Sequence, residues 1–168
     1  MTITIGVDPG ARTTAVVAVD TDTHEPLALV LVRNTGDLLP LPADYLRAVT
    51  TDVARMAADH DAELVRVEGV NRPNWHIGGK SKGAATDPTG LLGAAQVLGA
   101  VVATAPIPVE IIPPGRNGSA PMGAYPAALV STGERRTPGW ETRTGTGQLR
   151  HARSAYDVAR GGANARHR

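Results

Sequence analysis

Thr2-Ile-Thr-Ile-Gly-Val-Asp8-Pro9-Gly10-Ala-Arg-Thr13-Thr-Ala-Val-Val-Ala-Val-Asp20 is the stretch on which the reading of the fold turns. Residues 2–7 alternate in polarity and run into Asp-Pro-Gly, which predicts a strand entering a tight turn. Residues 13–19 are β-branched and apolar, so they read as the strand paired with it. Residues 20–26 are rich in turn formers, and 27–32 form a third strand. An antiparallel meander is the expected opening.

Working outward, 41–60 has helical periodicity, with Tyr45, Leu46, Val49, Val53, Met56 and Ala57 on one stripe. Residues 63–67 read as a buried strand that ends in Glu68-Gly69. Residues 89–104 form a helix rich in Gly and Ala, able to sit close against a sheet, and 109–112 a fifth strand stopped by Pro113-Pro114. A short helix is expected over 124–130 and a last helix over 148–160. Residues 71–88 and 131–146 are polar, Gly-rich loops, and loops of that length are usually functional or disordered. The order β-β-β-α-β-α-β-α implies an α/β fold, a mixed sheet with helices on its faces. One domain is expected over 1–160, followed by a flexible basic tail over 161–168.

The composition limits the chemistry. The chain has 168 residues, 42% apolar, with no Phe and no Cys, so disulfides and thiolate metal sites are excluded. No apolar run is long enough to span a bilayer, and the N-terminus lacks the basic start of a signal peptide. A cytoplasmic protein of a bacterial or phage-infected cell is expected. Residues 1–70 carry 5 Lys/Arg against 11 Asp/Glu, a net of −6, while 71–168 carry 12 against 5, a net of +7. A basic second half in a chain of net charge +1 points to a polyanion on one face. That 15 of the 17 basic residues are Arg, in an Ala-rich chain, also fits an actinobacterial or actinophage origin.

Asp8 and Glu68 each close an apolar strand, where α/β sheets commonly place their sites. Taken singly, an Asp before Pro-Gly is usually a turn residue and a Glu after a strand is usually solvated. Together they form a pair that repels unless a proton or cation intervenes, and such oxygen ligands suit Mg²⁺ or Mn²⁺. Asp157 is a third candidate, three residues after Ser154 on the same helical face. His151 lies roughly 120° around the helix from Asp157 and joins the group only at a frayed helix start.

The Ile-Gly-Val-Asp8-Pro-Gly10 strand-turn, Glu68 at the end of the fourth strand, the small-residue helix, and His151-Ala-Arg-Ser154-Ala-Tyr-Asp157 resemble the RuvC group of Holliday junction resolvases. The resemblance runs over nearly the whole chain. It implies an RNase H-like fold, a homodimer, and paired nicks in four-way or branched DNA, the work of a crossover junction endodeoxyribonuclease. It makes Asp8, Glu68 and Asp157 metal ligands, with two ions about 3.5–4 Å apart at the scissile phosphate. The family usually has a fourth ligand three residues before the last Asp. Ser154 stands there, so His151, water or a shifted register has to complete the set.

The loop after Glu68 holds Arg72, Trp75, Lys80 and Lys82, expected on phosphates and, for Trp75, stacked on an unpaired base. Arg116, Arg135, Arg136, Arg143, Arg150 and Arg153 form a second basic set for DNA arms. Two other classes compete. A non-catalytic junction binder is kept open by Ser154. An actin-like ATPase fragment is kept open by Gly10 and Thr13-Thr14, but such proteins need about twice this length, and no nucleotide cofactor or membrane is expected. A nuclease of RNA–DNA hybrids or flaps is a further possibility within the same fold.

Overall fold

The structure is a computed structural model that describes residues 1–71 and 88–163. Arg72, Trp75, Lys80 and Lys82 lie outside the described residues, as do 164–168.

Three strands open the chain: β1 (Ile3–Asp8), β2 (Thr13–Asp20) and β3 (Glu25–Arg33). Helix α1 (Ala43–Asp59), strand β4 (Leu64–Glu68), helix α2 (Thr89–Thr104) and strand β5 (Val109–Ile112) follow. A one-turn helix α3 (Thr132–Arg135) and helix α4 (Leu149–Ala159) complete the main elements. The sheet order is β3-β2-β1-β4-β5. The expected meander is present, with β2 antiparallel to both β1 and β3, while β4 is parallel to β1 and to β5.

Strand alternation divides the molecule into layers. Ile3, Ile5 and Val7 of β1, Val16 and Ala18 of β2, and Val65 and Val67 of β4 face α1 and α2. On α1 the buried residues are Tyr45, Val49, Val53, Met56 and Ala57, the predicted stripe without half-buried Leu46. The opposite face presents Ala15, Val17 and Val19, packed on Met122, Tyr125, Leu129 and on Ala152, Ala155, Tyr156 and Ala159, the last four from α4. With no Phe available, close backbone approach replaces bulk. A Cβ at Gly6 would lie 2.0 Å from the Ala155 carbonyl oxygen, so α4 rests directly on β1. Of the small residues on α2, Gly93 makes a similar approach to Ala11, whereas Gly90 and Gly99 face open space.

Two loop expectations change. The short helix expected over 124–130 is a pair of 3-10 turns, Met122–Ala124 and Ala127–Leu129. Pro126 lacks an N–H and pushes the preceding Tyr125 to extended backbone (φ −107°, ψ 151°), which breaks the helix there. The loop expected over 131–146 contains α3, nucleated by a capping box. Ser131 Oγ accepts from the Glu134 N–H (3.1 Å), and Glu134 Oε2 accepts from the Ser131 N–H (2.9 Å). Among the described residues no helix is long and apolar enough to cross a membrane.

Candidate active site

The alternation that sends Ile5 and Val7 to one layer sends Thr4, Gly6 and Asp8 to the other, beneath α4. In β4 the same rule turns Arg66 and Glu68 toward α4 while Val65 and Val67 face away. The Arg66 guanidinium accordingly donates to the Ala159 carbonyl at 2.9 Å. Because β1 and β4 are parallel, with Val7 opposite Val67, the next residues along, Asp8 and Glu68, come side by side at the carboxyl ends of both strands.

The two carboxyl groups line one cleft. Burial, and then the hydrogen bond and negative charge of Asp8, push Glu68 up to about 7, against the opposing effect of donors from Asn117 and Gly115. Both Glu68 oxygens are engaged. Oε1 accepts from Asn117 Nδ2 (2.8 Å) and from the Gly115 N–H (3.4 Å), and Oε2 accepts from Ser154 Oγ (3.2 Å). Asp8 Oδ2 is 2.8 Å from His151 Nδ1, with Asp8 12% and His151 41% exposed at the side chain. These residues and Arg150 line a cleft of about 120 Å³. A larger cleft, about 390 Å³, lies between the chain around Asn34 and the start of α1. Its charged lining residues are Arg33 and Asp44, with no paired acids, so the smaller cleft is the chemical one.

The structure therefore brings Asp8, Glu68, His151 and Ser154 together. Asp157 lies one turn further along α4, 1% exposed, outside the cleft lining. Its Oδ2 accepts from the Gly118 N–H (2.8 Å) and the Tyr125 hydroxyl (2.9 Å), which ties the loop after β5 to the helix. His151 joins the group from the helix start, in the first turn of α4, where its N–H bonds the Gln148 carbonyl three residues back at 3.2 Å. Measured from Ser154 rather than Asp157 it is three residues away, only about 60° around the helix.

Arg153 is also corrected. It is fully buried, where a DNA phosphate cannot reach. It donates to the Leu129 carbonyl (2.9 Å), pairs with Glu134 (3.0 Å) and lies 5.9 Å from the centre of the Tyr125 ring. Glu134 is thereby held below the ordinary glutamate value. Burial alone would raise it, but hydrogen bonds from Arg153 and Ser131 outweigh that. Arg116, Arg135, Arg136, Arg143 and Arg150 are exposed, and of these Arg150 reaches the cleft. Asn117, Gly115 and Tyr125 escaped the sequence reading. They lie in loop or 3-10 segments with no periodicity, and a buried amide has no mark in sequence.

The site suits a hard cation in part. Two carboxyl groups share the cleft, and Glu68 is raised to about 7, so the pair is short of one positive charge. The imidazole of His151 and the hydroxyl of Ser154 stand beside them. Among the described residues, however, no group of three or more His, Cys, Asp or Glu is arranged to hold a metal ion.

No protein-family model matches the sequence, and no curated protein is significantly similar. Solved structures do match. RuvC of T. thermophilus in complex with a Holliday junction substrate is 17% identical, with a TM-score of 0.58 over 95% of this chain and 90% of that one. A second Thermus thermophilus RuvC structure is 19% identical, with a TM-score of 0.53 over 94% and 90%. This chain has the RNase H-like α/β fold of RuvC, a mixed five-stranded sheet flanked by helices.

Proposed function

We propose that this chain is a divalent-metal-dependent endonuclease, a single nuclease domain over 1–160 that resolves four-way or branched DNA junctions by paired nicks. The observation that carries the reading is the Asp8–Glu68 pair at adjacent parallel strand ends, covered by His151 and Ser154 of α4. A cation bound there, Mg²⁺ or Mn²⁺, would supply Lewis-acid activation of a phosphodiester and of an attacking water. The chain's own part is orientation. His151 holds Asp8, while Asn117, Gly115 and Ser154 hold Glu68, before any substrate arrives. Asp157 works from behind by fastening Gly118, next to Asn117.

Arg150 places positive charge at the cleft, and Arg116, Arg135, Arg136 and Arg143 extend it for DNA arms. Arg72, Trp75, Lys80 and Lys82 belong to the same proposed contact set. The similarity to a RuvC seen with a Holliday junction supports branched DNA as the partner. Helix α2 supports a homodimer: it carries no charged residue and leaves Leu92 and Val102 43% and 45% exposed. Ser154, a hydroxyl where an acid would complete the ligand set, favours a second reading as a non-catalytic junction binder.

Labelled four-way junction, Y-fork, flap, RNA–DNA hybrid and duplex, each with Mg²⁺ and Mn²⁺, separate these readings. Paired cuts in the junction that vanish in Asp8→Asn, with binding retained, are expected. Binding without cleavage under every condition would establish the second reading instead, and preferential cutting of the hybrid would replace the substrate.

A further inference from the structure

Asn117 is 5% exposed and sits between two partners of opposite character. Its Nδ2 donates to Glu68 Oε1 at 2.8 Å, and its Oδ1 accepts from the Ala163 N–H at 2.7 Å. A backbone N–H can only donate, so it dictates which end of the amide turns toward it. Were the amide reversed, its NH₂ would face the Ala163 N–H and its oxygen would face the Glu68 carboxylate, and both hydrogen bonds would be lost.

The end of α4 builds this arrangement. Gly161 and Gly162 adopt φ of 95° and 90°, a conformation other residues rarely take, and swing the chain back from the helix. The Gly162 N–H donates to the Asp157 carbonyl at 2.8 Å, and a Cβ at Gly162 would come within 3.0 Å of Ile112. The turn thus lies against the end of β5 and delivers the Ala163 N–H to Asn117. Asp157 holds the neighbouring Gly118 N–H from the same helix.

We infer that Asn117 is a positioning residue for Glu68, and that the turn at 161–163 sets the polarity of its amide so that the donor end faces the carboxylate. This rests on reading Asp8 and Glu68 as cation ligands. Partners that orient metal ligands from behind typically cost 10–100-fold in metal affinity when removed. The inference gives that role to a backbone N–H outside the cleft.

The test is calorimetric titration of the full chain with Mn²⁺ alone, with thermal unfolding alongside. Asn117→Ala removes the donor to Glu68. Ala163→Pro keeps the Asn117 side chain but replaces the N–H that orients it by a ring carbon, which forces the amide oxygen away from the turn. Each is expected to weaken Mn²⁺ binding by roughly tenfold or more while unfolding remains cooperative. In Asn117→Ala, adding Ala163→Pro should cost nothing further, since the turn acts through the amide. Losses that add independently, or affinities within about twofold of the parent, overturn the inference. If Asn117→Ala fails to fold, Asn117→Leu, close in volume and without the donor to Glu68, decides by the same criterion. Asp8→Asn distinguishes this from failure of the underlying reading: Mn²⁺ binding absent in the parent, or undiminished in Asp8→Asn, removes the cation site itself.

Discussion

Glu68 is the residue at which the fold stores electrostatic cost. Its carboxyl is raised from an ordinary 4.5 to about 7 by burial and by Asp8. Between those values the folded chain keeps a proton that the unfolded chain has released. Stability therefore falls as pH rises from about 4.5 to 7, and the full penalty is in place above it. In chelator, the parent should melt at a lower temperature at pH 8 than at pH 5, and Glu68→Gln should flatten that interval. An unchanged slope in Glu68→Gln would count against the assignment. Glu134 acts in the other direction. Held below its ordinary value of 4.5, it contributes stability that is complete above that pH and is lost as pH falls through its folded value. The two windows do not overlap. At this scale Asp8 and Glu68 were legible because each ends an apolar strand. Asn117 was not, because its role depends on a backbone N–H that only the folded turn supplies.

At the scale of elements, the contact between β1 and α4 governs the geometry of the cleft. Gly6 leaves room for the helix, and Gly6→Val would drive a Cβ to 2.0 Å from the Ala155 carbonyl and 2.8 Å from Ala159. Loss of roughly 1–3 kcal/mol or more is expected from such overpacking. It would show as a lower urea midpoint with little change in slope; a midpoint equal to the parent's would mean that α4 is not seated on β1. Strands and long helices were readable from period and from Pro and Gly punctuation, close to their observed bounds. The region between β5 and α4 was harder, because short 3-10 turns carry no period to detect. The capping box at Ser131 and Glu134 was a usable signal there. Of the α4 candidates His151 and Ser154 reach the cleft and Asp157 does not, a distinction sequence cannot make: a buried carboxylate bonded to a loop and one beside a cation look alike there.

Across the whole molecule, the acidic first half supplies the cleft carboxylates, while among the described residues the basic second half supplies most of the exposed cations. Junction binding is expected to fall steeply with salt, and each Arg→Ala change that removes a phosphate contact should reduce the log–log slope by about one. Arg150→Ala is the first to test, since Arg150 lines the cleft. Arg153→Ala should leave the slope alone and lower stability, because it removes a fully buried guanidinium and strips half-buried Glu134 of its partner. A salt response that is flat in the parent would remove DNA phosphate as the partner. The sheet and helix α4 also order events in time. Asp8 and Glu68 leave the ribosome early, whereas His151 and Ser154 follow only after α2, β5 and the loops beyond them. A nascent chain holding the first two has neither the His151 contact to Asp8 nor the Ser154 contact to Glu68, and gains both only when α4 has been made and has found Gly6.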